Sequence, residues 1–310
     1  MKTLDFGEDF ARFSKKQSNK IEIKNLSDET WILSNSADQK ILTKLKENCV
    51  SLSEYVGGSS FRGILTGLTE AFVIDEETKN KIIEQDEKSR EIIKPVLRGR
   101  DIKPYYAQST GMWLISTFPT LKLNIENYQG VKNYLLDFGL NRLEQSGKSN
   151  SRKKTTNKWF ETQDNIGYWQ EFEKPKIMYQ VMQVKPCFIY DENGLYCNNS
   201  MWIIPKDDKV LLAILNSKMG WWLISKYCTA IQNGFQLIWN YFGQILIPQA
   251  NEAQTKKIIA KVEQILAVKN RSVEPFDPAT DTSQLESEID AMVYELYGLT
   301  AEEIAIVEGK

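Results

Sequence analysis

The chain has 310 residues, 42% of them hydrophobic and 26% charged, and a formal net charge of -2. This composition excludes a disordered polyampholyte and a wholly basic nucleic-acid coat, and the length suits about two domains. There is no histidine, which excludes a Ser-His-Asp triad, a Cys-His pair and a histidine metal site within this chain.

Residues 1–34 are weakly patterned. Ser36 to Val50 reads as a helix with Ile41, Leu42, Leu45 and Val50 on one stripe. Gly57 to Ser60 is a turn, and Ala71 to Ile74 reads as a buried strand. Glu76–Gln85 and Lys88–Ile93 follow as short helices, the second ended by Pro95, and Gly99 opens a turn. Met112–Thr117 suits a strand. Ile125–Phe138 suits a helix with Tyr128, Val131, Leu135 and Phe138 on one face. Strands are expected at Ile177–Gln183, Cys187–Tyr190 and Leu195–Ile204, separated by Pro186 and the Asp191–Gly194 turn. Helices are expected at Lys209–Ser217 and Gly220–Tyr227, and a strand-like pattern over Phe235–Pro248.

After Pro248 the character changes. Glu252–Asn270 is one long helix, broken off by Pro275 and Pro278, and Ser283–Tyr297 is a second, stopped by Gly298. Thr300 and Glu303 form a capping box for a third, short helix. The stripes on the long pair are too wide to be buried by one another alone, so the pair must pack on the α/β body, a partner domain or a second copy.

Cys49, Cys187, Cys197 and Cys228 are widely spaced with no C-x-x-C, which suits free buried thiols in a reducing compartment better than a zinc site or a disulfide framework. No run reaches the roughly 18 apolar residues of a membrane span, and Met1–Asp5 lacks a signal-peptide core. The expectation is a soluble, cytoplasmic protein.

The densest chemical signal is Gly147–Phe160, where Lys148, Arg152, Lys153, Lys154 and Lys158 fall among Ser, Thr and Asn, followed by Trp159. Cations interleaved with short hydroxyl and amide side chains suit a phosphate backbone, and a neighbouring aromatic can stack on a base. From composition alone a solvated surface loop is the simpler account. Arg98 and Arg100, with Arg90, Lys94 and Lys103 nearby, form a second cationic group. It suits either a phosphate clamp or a turn in which Asp101 pairs with an arginine. Gln180, Gln183, Asn198 and Asn199 sit at strand ends, where amides can read adenine edges or simply cap turns. Asp75, Glu77 and Lys79 resemble the acidic and E-x-K elements of a metal-dependent nuclease, with the wrong spacing; Glu77 is more simply a first-turn acid. There is no G-x-G-x-x-G, F-x-G-x-G, Walker loop or [DNS]-P-P-[YFW].

Several segments in order resemble a known family. They are Gly63-Ile-Leu-Thr-Gly67 with Glu70-Ala-Phe-Val-Ile-Asp75, Ile93-Lys-Pro-Val-Leu-Arg-Gly-Arg-Asp-Ile102, Lys158-Trp-Phe-Glu161 and Lys174-Pro-Lys-Ile177. Leu212-Ala-Ile-Leu-Asn-Ser217, Ile245-Leu-Ile-Pro248 and Glu288-Ile-Asp-Ala-Met-Val-Tyr-Glu-Leu-Tyr-Gly-Leu-Thr300 complete the set. From roughly residue 30 onward, the chain resembles the TaqI-like C-terminal specificity domain of adenine-N6 DNA methyltransferases and fused type IIG restriction-modification enzymes. The resemblance implies sequence-specific recognition of duplex DNA. It also implies a partner methyltransferase half that carries S-adenosylmethionine and an N-P-P-Y loop, so the chain reads as a fragment, split subunit or excised domain. No cofactor is expected here.

The resulting expectation is an α/β (α+β) target-recognition domain with a mixed sheet, followed by a C-terminal long-helix hairpin. Its divisions are a lead-in at 1–60 that joins the methyltransferase half, the recognition domain at 61–248 and the hairpin at 249–310. Lys148, Arg152, Lys153, Lys154 and Lys158 are the phosphate contacts, with Arg98 and Arg100 as further candidates. Trp159, Gln180 and Gln183 are the candidate base readers. The alternatives are a restriction nuclease using Asp75, Glu77 and Lys79, and an assembly scaffold acting through the hairpin.

Overall fold

The computed structural model describes residues 36–108, 111–270 and 281–310. The weakly patterned 1–34 and the breaks at Pro275 and Pro278 lie outside the described residues. In chain order the elements begin with α1 (Ser36–Asn48), β1 (Cys49–Ser51), α2 (Leu52–Val56), β2 (Phe61–Arg62), α3 (Thr69–Phe72), β3 (Val73–Asp75) and α4 (Glu76–Gln85). Then come β4 (Ile93–Leu97), β5 (Ile102–Lys103), β6 (Tyr106–Ala107), β7 (Met112–Ile115), α5 (Gln129–Asp137) and α6 (Leu140–Leu143). The middle holds β8 (Lys176–Gln180), β9 (Met182–Gln183), β10 (Phe188–Asp191), β11 (Tyr196–Cys197) and β12 (Met201–Ile204). The rest is α7 (Lys209–Asn216), α8 (Lys218–Tyr227), β13 (Thr229–Ile231), β14 (Gly234–Gln236), α9 (Trp239–Phe242), β15 (Leu246–Pro248), α10 (Glu252–Asn270), α11 (Ser283–Leu296) and α12 (Ala301–Val307).

The central sheet is antiparallel with strand order β10-β8-β12-β2. Side chains alternate across a strand, and here both faces are covered. Ile177, Tyr179, Phe188 and Ile204 enter a larger core with α1, α7, α8, α10 and α11. Met178, Ile189, Met201 and Ile203 enter a second core with the mixed sheet β11-β4-β7-β3 and helices α4 and α5. The remaining sheets are small: β13-β14-β9, β1-β15 and β5-β6.

The long helical pair packs on the body of this same chain. Ile258, Val262, Ile265, Ile289, Val293 and Tyr297 are buried in the larger core with Leu211, Leu215 and Leu223. The segment 36–60 belongs to that core too, through Ile41, Leu42, Leu45 and Leu52, and β1 pairs with β15. The Thr300–Glu303 capping box is present, and Lys44 ties it down by donating to Gly298 O and Glu303 Oε2, both at 2.6 Å.

Several boundaries differ from expectation for identifiable reasons. The first helix stops at Asn48 because Cys49–Ser51 is claimed by β15. Ala71–Phe72 finishes a helical turn and only Val73–Asp75 is strand. Ile93–Leu97 is a strand through Pro95. Proline is tolerated there because β4 changes partner at that point, pairing with β7 over Ile93–Pro95 and with β11 over Val96–Leu97. Leu195–Ile204 is divided between two sheets, and Phe235–Pro248 is interrupted by the helical turn of α9.

All four cysteines are free. Burial pushes the thiols of Cys49 and Cys187 up to about 11 and that of Cys228 up to about 12, and it raises Cys197 further still. No helix of the described residues is long and apolar enough to cross a membrane.

Lys176 and Asp191 face one another across β8 and β10 and are both fully buried. The ammonium donates to Asp191 Oδ2 and to Phe172 O. The carboxylate also accepts from Asn193 N at 3.0 Å and Leu195 N at 2.9 Å, closing the turn after β10. Burial pulls the Lys176 ammonium below its ordinary range while Asp191 pulls it back. Asp191→Ala strands the ammonium and should cost about 3–5 kcal/mol, measurable by urea denaturation. A loss below about 1 kcal/mol would show that the pair contributes no more than a surface one.

Candidate nucleic-acid interface

The segment 144–163 has little regular structure, yet its backbone is held from within. Arg152 N donates to Glu144 O at 2.9 Å, Gly147 N to Arg152 O at 3.0 Å and Thr155 N to Gln145 O at 3.0 Å. The Gln145 side chain is buried, donates to Glu161 O at 3.0 Å and accepts from Thr155 Oγ1 at 2.8 Å. Asn157 Nδ2 donates to Thr162 O and Gln163 O, and buried Glu161 accepts from Lys158 N at 2.7 Å. Asn150 adopts a left-handed backbone (φ 62°), a conformation asparagine tolerates better than most residues.

Arg152 is the centre of this arrangement, and here the sequence expectation is corrected. Its side chain is 3% exposed and cannot reach a phosphate in this conformation. Nε donates to Leu143 O at 2.8 Å, Nη1 to Glu161 O at 2.7 Å and Thr66 O at 3.1 Å, and Nη2 to Trp159 O at 2.6 Å. The guanidinium lies 5.0 Å from the Phe72 ring centroid. Burial lowers it to about 10 while the Glu161 carboxylate opposes the fall, so it stays charged at neutral pH. The fork of donors is used on four carbonyls, which ties the loop to the 66–72 segment. Gly67 is part of the fit: its φ is +79°, and a Cβ there would come within 2.9 Å of Gln163 Oε1 and 3.3 Å of Arg152 Cδ.

The other four cations behave differently. Lys148, Lys153, Lys154 and Lys158 are all exposed, and none forms an ion pair among the described residues. Lys158 Nζ lies 5.5 Å from the Phe160 ring, and half-buried Trp159 packs edge-on against Phe160 at 5.5 Å. The structure adds a cation that no motif announced. Exposed Arg62 and Lys153 both act electrostatically on Asp164, whose carboxyl burial raises. Arg62 is an isolated arginine on a two-residue strand, so sequence pattern carried no signal for it.

The second cationic group is a structural turn. Arg98 is half-buried and holds Asp101 through Nε at 2.9 Å and Nη2 at 3.2 Å, while its backbone N donates to the same carboxylate. Arg100 remains exposed, 4.0 Å from Asp101. The expected amide readers are also committed internally. Gln180 Nε2 donates to Gly99 O. Gln183 is 1% exposed, donates to Gln180 O at 3.0 Å and accepts from Cys187 N at 2.9 Å. Both amides therefore brace the chain through their own backbone partners, and Gln183 is withdrawn from solvent while Gln180 is half-buried. Asn198 accepts from Ser200 Oγ at 2.6 Å, an ordinary turn bond.

Asp75, Glu77 and Lys79 do not converge. Asp75 caps α4 by accepting from Thr78 N at 2.8 Å, Glu77 pairs with Lys81 at 2.6 Å, and buried Lys79 meets Glu76 and lies 3.8 Å from the Trp113 ring centroid. Among the described residues no group of three or more His, Cys, Asp or Glu is placed to hold a metal ion.

The family of the TaqI-like C-terminal specificity domain matches residues 94–247. These residues form such a specificity domain. A type II methyltransferase from Pseudomonas aeruginosa, M.PaeR7I, is 25% identical over 227 residues. That match takes in 71% of this chain and 37% of the relative, so the chain spans little more than a third of the relative's length. The type IIL restriction-modification enzyme MmeI, solved in complex with DNA, has a similar fold at a TM-score of 0.52 and 14% identity, covering 81% of this chain and 35% of MmeI. The match 94–247 contains the whole basic loop, β8–β14 and all but the last residue of β15, while Thr66 and Phe72, on which Arg152 closes, lie before it.

Arg152→Ala removes the guanidinium donors from four carbonyls, of which Thr66 O keeps Gln163 N and Glu161 O keeps the Gln145 amide. We expect a loss of about 2–4 kcal/mol in denaturant unfolding and new protease cleavage between 144 and 163. Arg152→Lys should restore little, because an ammonium lacks the planar fork. Full recovery in the lysine variant would show that charge alone sets the loop.

Proposed function

We propose that this chain recognises a specific duplex DNA sequence for an adenine-N6 methyltransferase or restriction-modification enzyme, with Lys148, Lys153, Lys154 and Lys158 on the phosphates. The observation that carries this reading is four exposed lysines, none in a salt bridge among the described residues, on a loop whose backbone is pinned by a buried arginine. A pinned loop presents its charges with little ordering left to do on binding. The specificity domain at 94–247 and the relatives' names support the same reading. Arg62 and Arg100 are outlying phosphate contacts, and the half-buried Trp159 within the loop is the candidate stacking ring.

In this reading the methyl donor, S-adenosylmethionine, belongs to a methyltransferase domain or subunit that works with this chain, and the chain performs no chemistry itself. A metal-dependent nuclease would need Asp75, Glu77 and Lys79 at one metal, and each has a different partner. Purified chain with magnesium should therefore leave plasmid intact. Cleavage abolished by Glu77→Ala would replace this reading with the nuclease one.

Salt dependence tests the lysines. Each phosphate neutralised on B-form DNA contributes roughly 0.9 to the log-log slope of affinity against salt. Replacing Lys148, Lys153, Lys154 and Lys158 together by alanine should flatten the slope by about 3.6 and weaken all duplexes alike, since phosphates carry no sequence information. The measurement is fluorescence anisotropy of labelled duplex between 50 and 200 mM salt, with and without a methyltransferase half. An unchanged slope would make the loop a solvated surface.

A further inference from the structure

The amides first considered as base readers, Gln180 and Gln183, are consumed by the chain's own backbone. A different pair is free. Gln232 and Asn233 form the two-residue turn between β13 and β14, both exposed, and neither side chain makes a hydrogen bond among the described residues. Thr229 and Ala230, on the first strand of the same hairpin, are exposed as well. From these positions we infer that the hairpin Thr229–Gln236, flanked by β9, is a base-reading ribbon that enters the major groove. The inference rests on the DNA reading given under Proposed function.

The hairpin is rigidly mounted. β14 pairs with β9 at Phe235↔Gln183 and Gln236↔Met182. Gly234 lies so close to β9 that a Cβ would fall 1.9 Å from Gln183 O. Phe235 packs edge-on against Trp221 at 5.2 Å, and Leu237 N donates to Val181 O at 2.7 Å. Buried Gln183 thus braces the ribbon from beneath.

Beside it stand Met182 and Val184, 61% and 67% exposed, more than any other large hydrophobic of the described residues. Apolar side chains next to free amides suit A·T pairs: asparagine and glutamine can bond adenine N6 and N7 bidentately, and an apolar group or a threonine methyl can meet the thymine methyl. A two-stranded ribbon fits the roughly 12 Å width of the major groove.

The charge around this face favours a polyanion over a protein partner. The segments 98–103, 180–187, 198–200 and 229–236 are joined by the Gln180–Gly99, Gly99–Ser200 and Phe235–Gln183 contacts. They carry Arg98, Arg100, Lys103 and Lys185 and a single carboxylate, Asp101. That carboxylate is buried against Arg98. Lys185 lies two residues after β9, and Cys187, whose N–H is held by Gln183 of β9, feels both Lys103 and Lys185 electrostatically.

The test is selection from a pool of randomised duplexes with the full chain, followed by binding of the selected duplex and of the unselected pool. Gln232→Ala with Asn233→Ala alters only an exposed turn. It should keep pool affinity within about twofold and keep the salt slope, but lose preference at one or more positions. The selected duplex should then weaken about 5- to 150-fold, the worth of one bidentate base contact. Met182→Ser, on the exposed side of β9, should relax preference in the same way. Enrichment of the wild-type sequence by both variants overturns the inference, as does an equal loss for every duplex. Wild-type chain that binds the pool yet enriches nothing also overturns it, while phosphate binding by the lysines stands. Wild-type chain without affinity for any duplex removes the DNA reading and this inference with it.

Discussion

The fold depends on a sheet with no solvent face. β8 and its neighbours send alternate side chains into two different cores, so any shift of register by one residue would exchange Ile177 and Tyr179 for Met178 on both sides at once. The Lys176–Asp191 pair adds a directional constraint to this apolar one, because a buried charge is tolerable only opposite its partner. With the sheet so determined, its ends are fixed platforms. The loop 144–163 is anchored over the second core through Thr66, Phe72 and Thr117. The β13–β14 hairpin is anchored over the larger one through Phe235 and Leu237.

The two kinds of cation in the basic segment show how one composition serves two purposes. A guanidinium can satisfy several carbonyls at once and remain charged when buried, whereas an ammonium is a compact, strongly hydrated charge that favours water. The single arginine of the cluster went inside and the four lysines stayed out. The same logic separates Arg98, locked on Asp101, from the exposed Arg100.

Much of the architecture was legible in the sequence because it rests on periodicity. The helices 252–270 and 283–296, the Thr300 cap, the strand at Met112 and the α/β class all follow from apolar spacing and capping residues. The elements that were misread are decided by partners distant in the chain. Pro95 sits in a strand only because β7 and β11 divide β4 between them, and Cys49 leaves its helix only because β15 is adjacent. The basic segment announced itself by charge density. What spacing could not supply was which side chain turned inward: Arg152 closes on Thr66, far earlier in the chain, and Gln183 on a turn that forms only when Cys187 returns. Gln232 and Asn233 were not singled out by sequence, because an unused amide looks the same there as a capping one.

The state of the thiols makes the chain convenient to instrument. Every native cysteine is held protonated by burial, so each is a poor nucleophile toward maleimides and disulfide reagents near neutral pH. A single cysteine placed by substitution on an exposed position would then be the one fast-reacting sulfur in the molecule. Dyes, spin labels or photo-crosslinkers could be attached there without first stripping the native thiols, and without the core cavities that replacing Cys187, Cys197 or Cys228 would open.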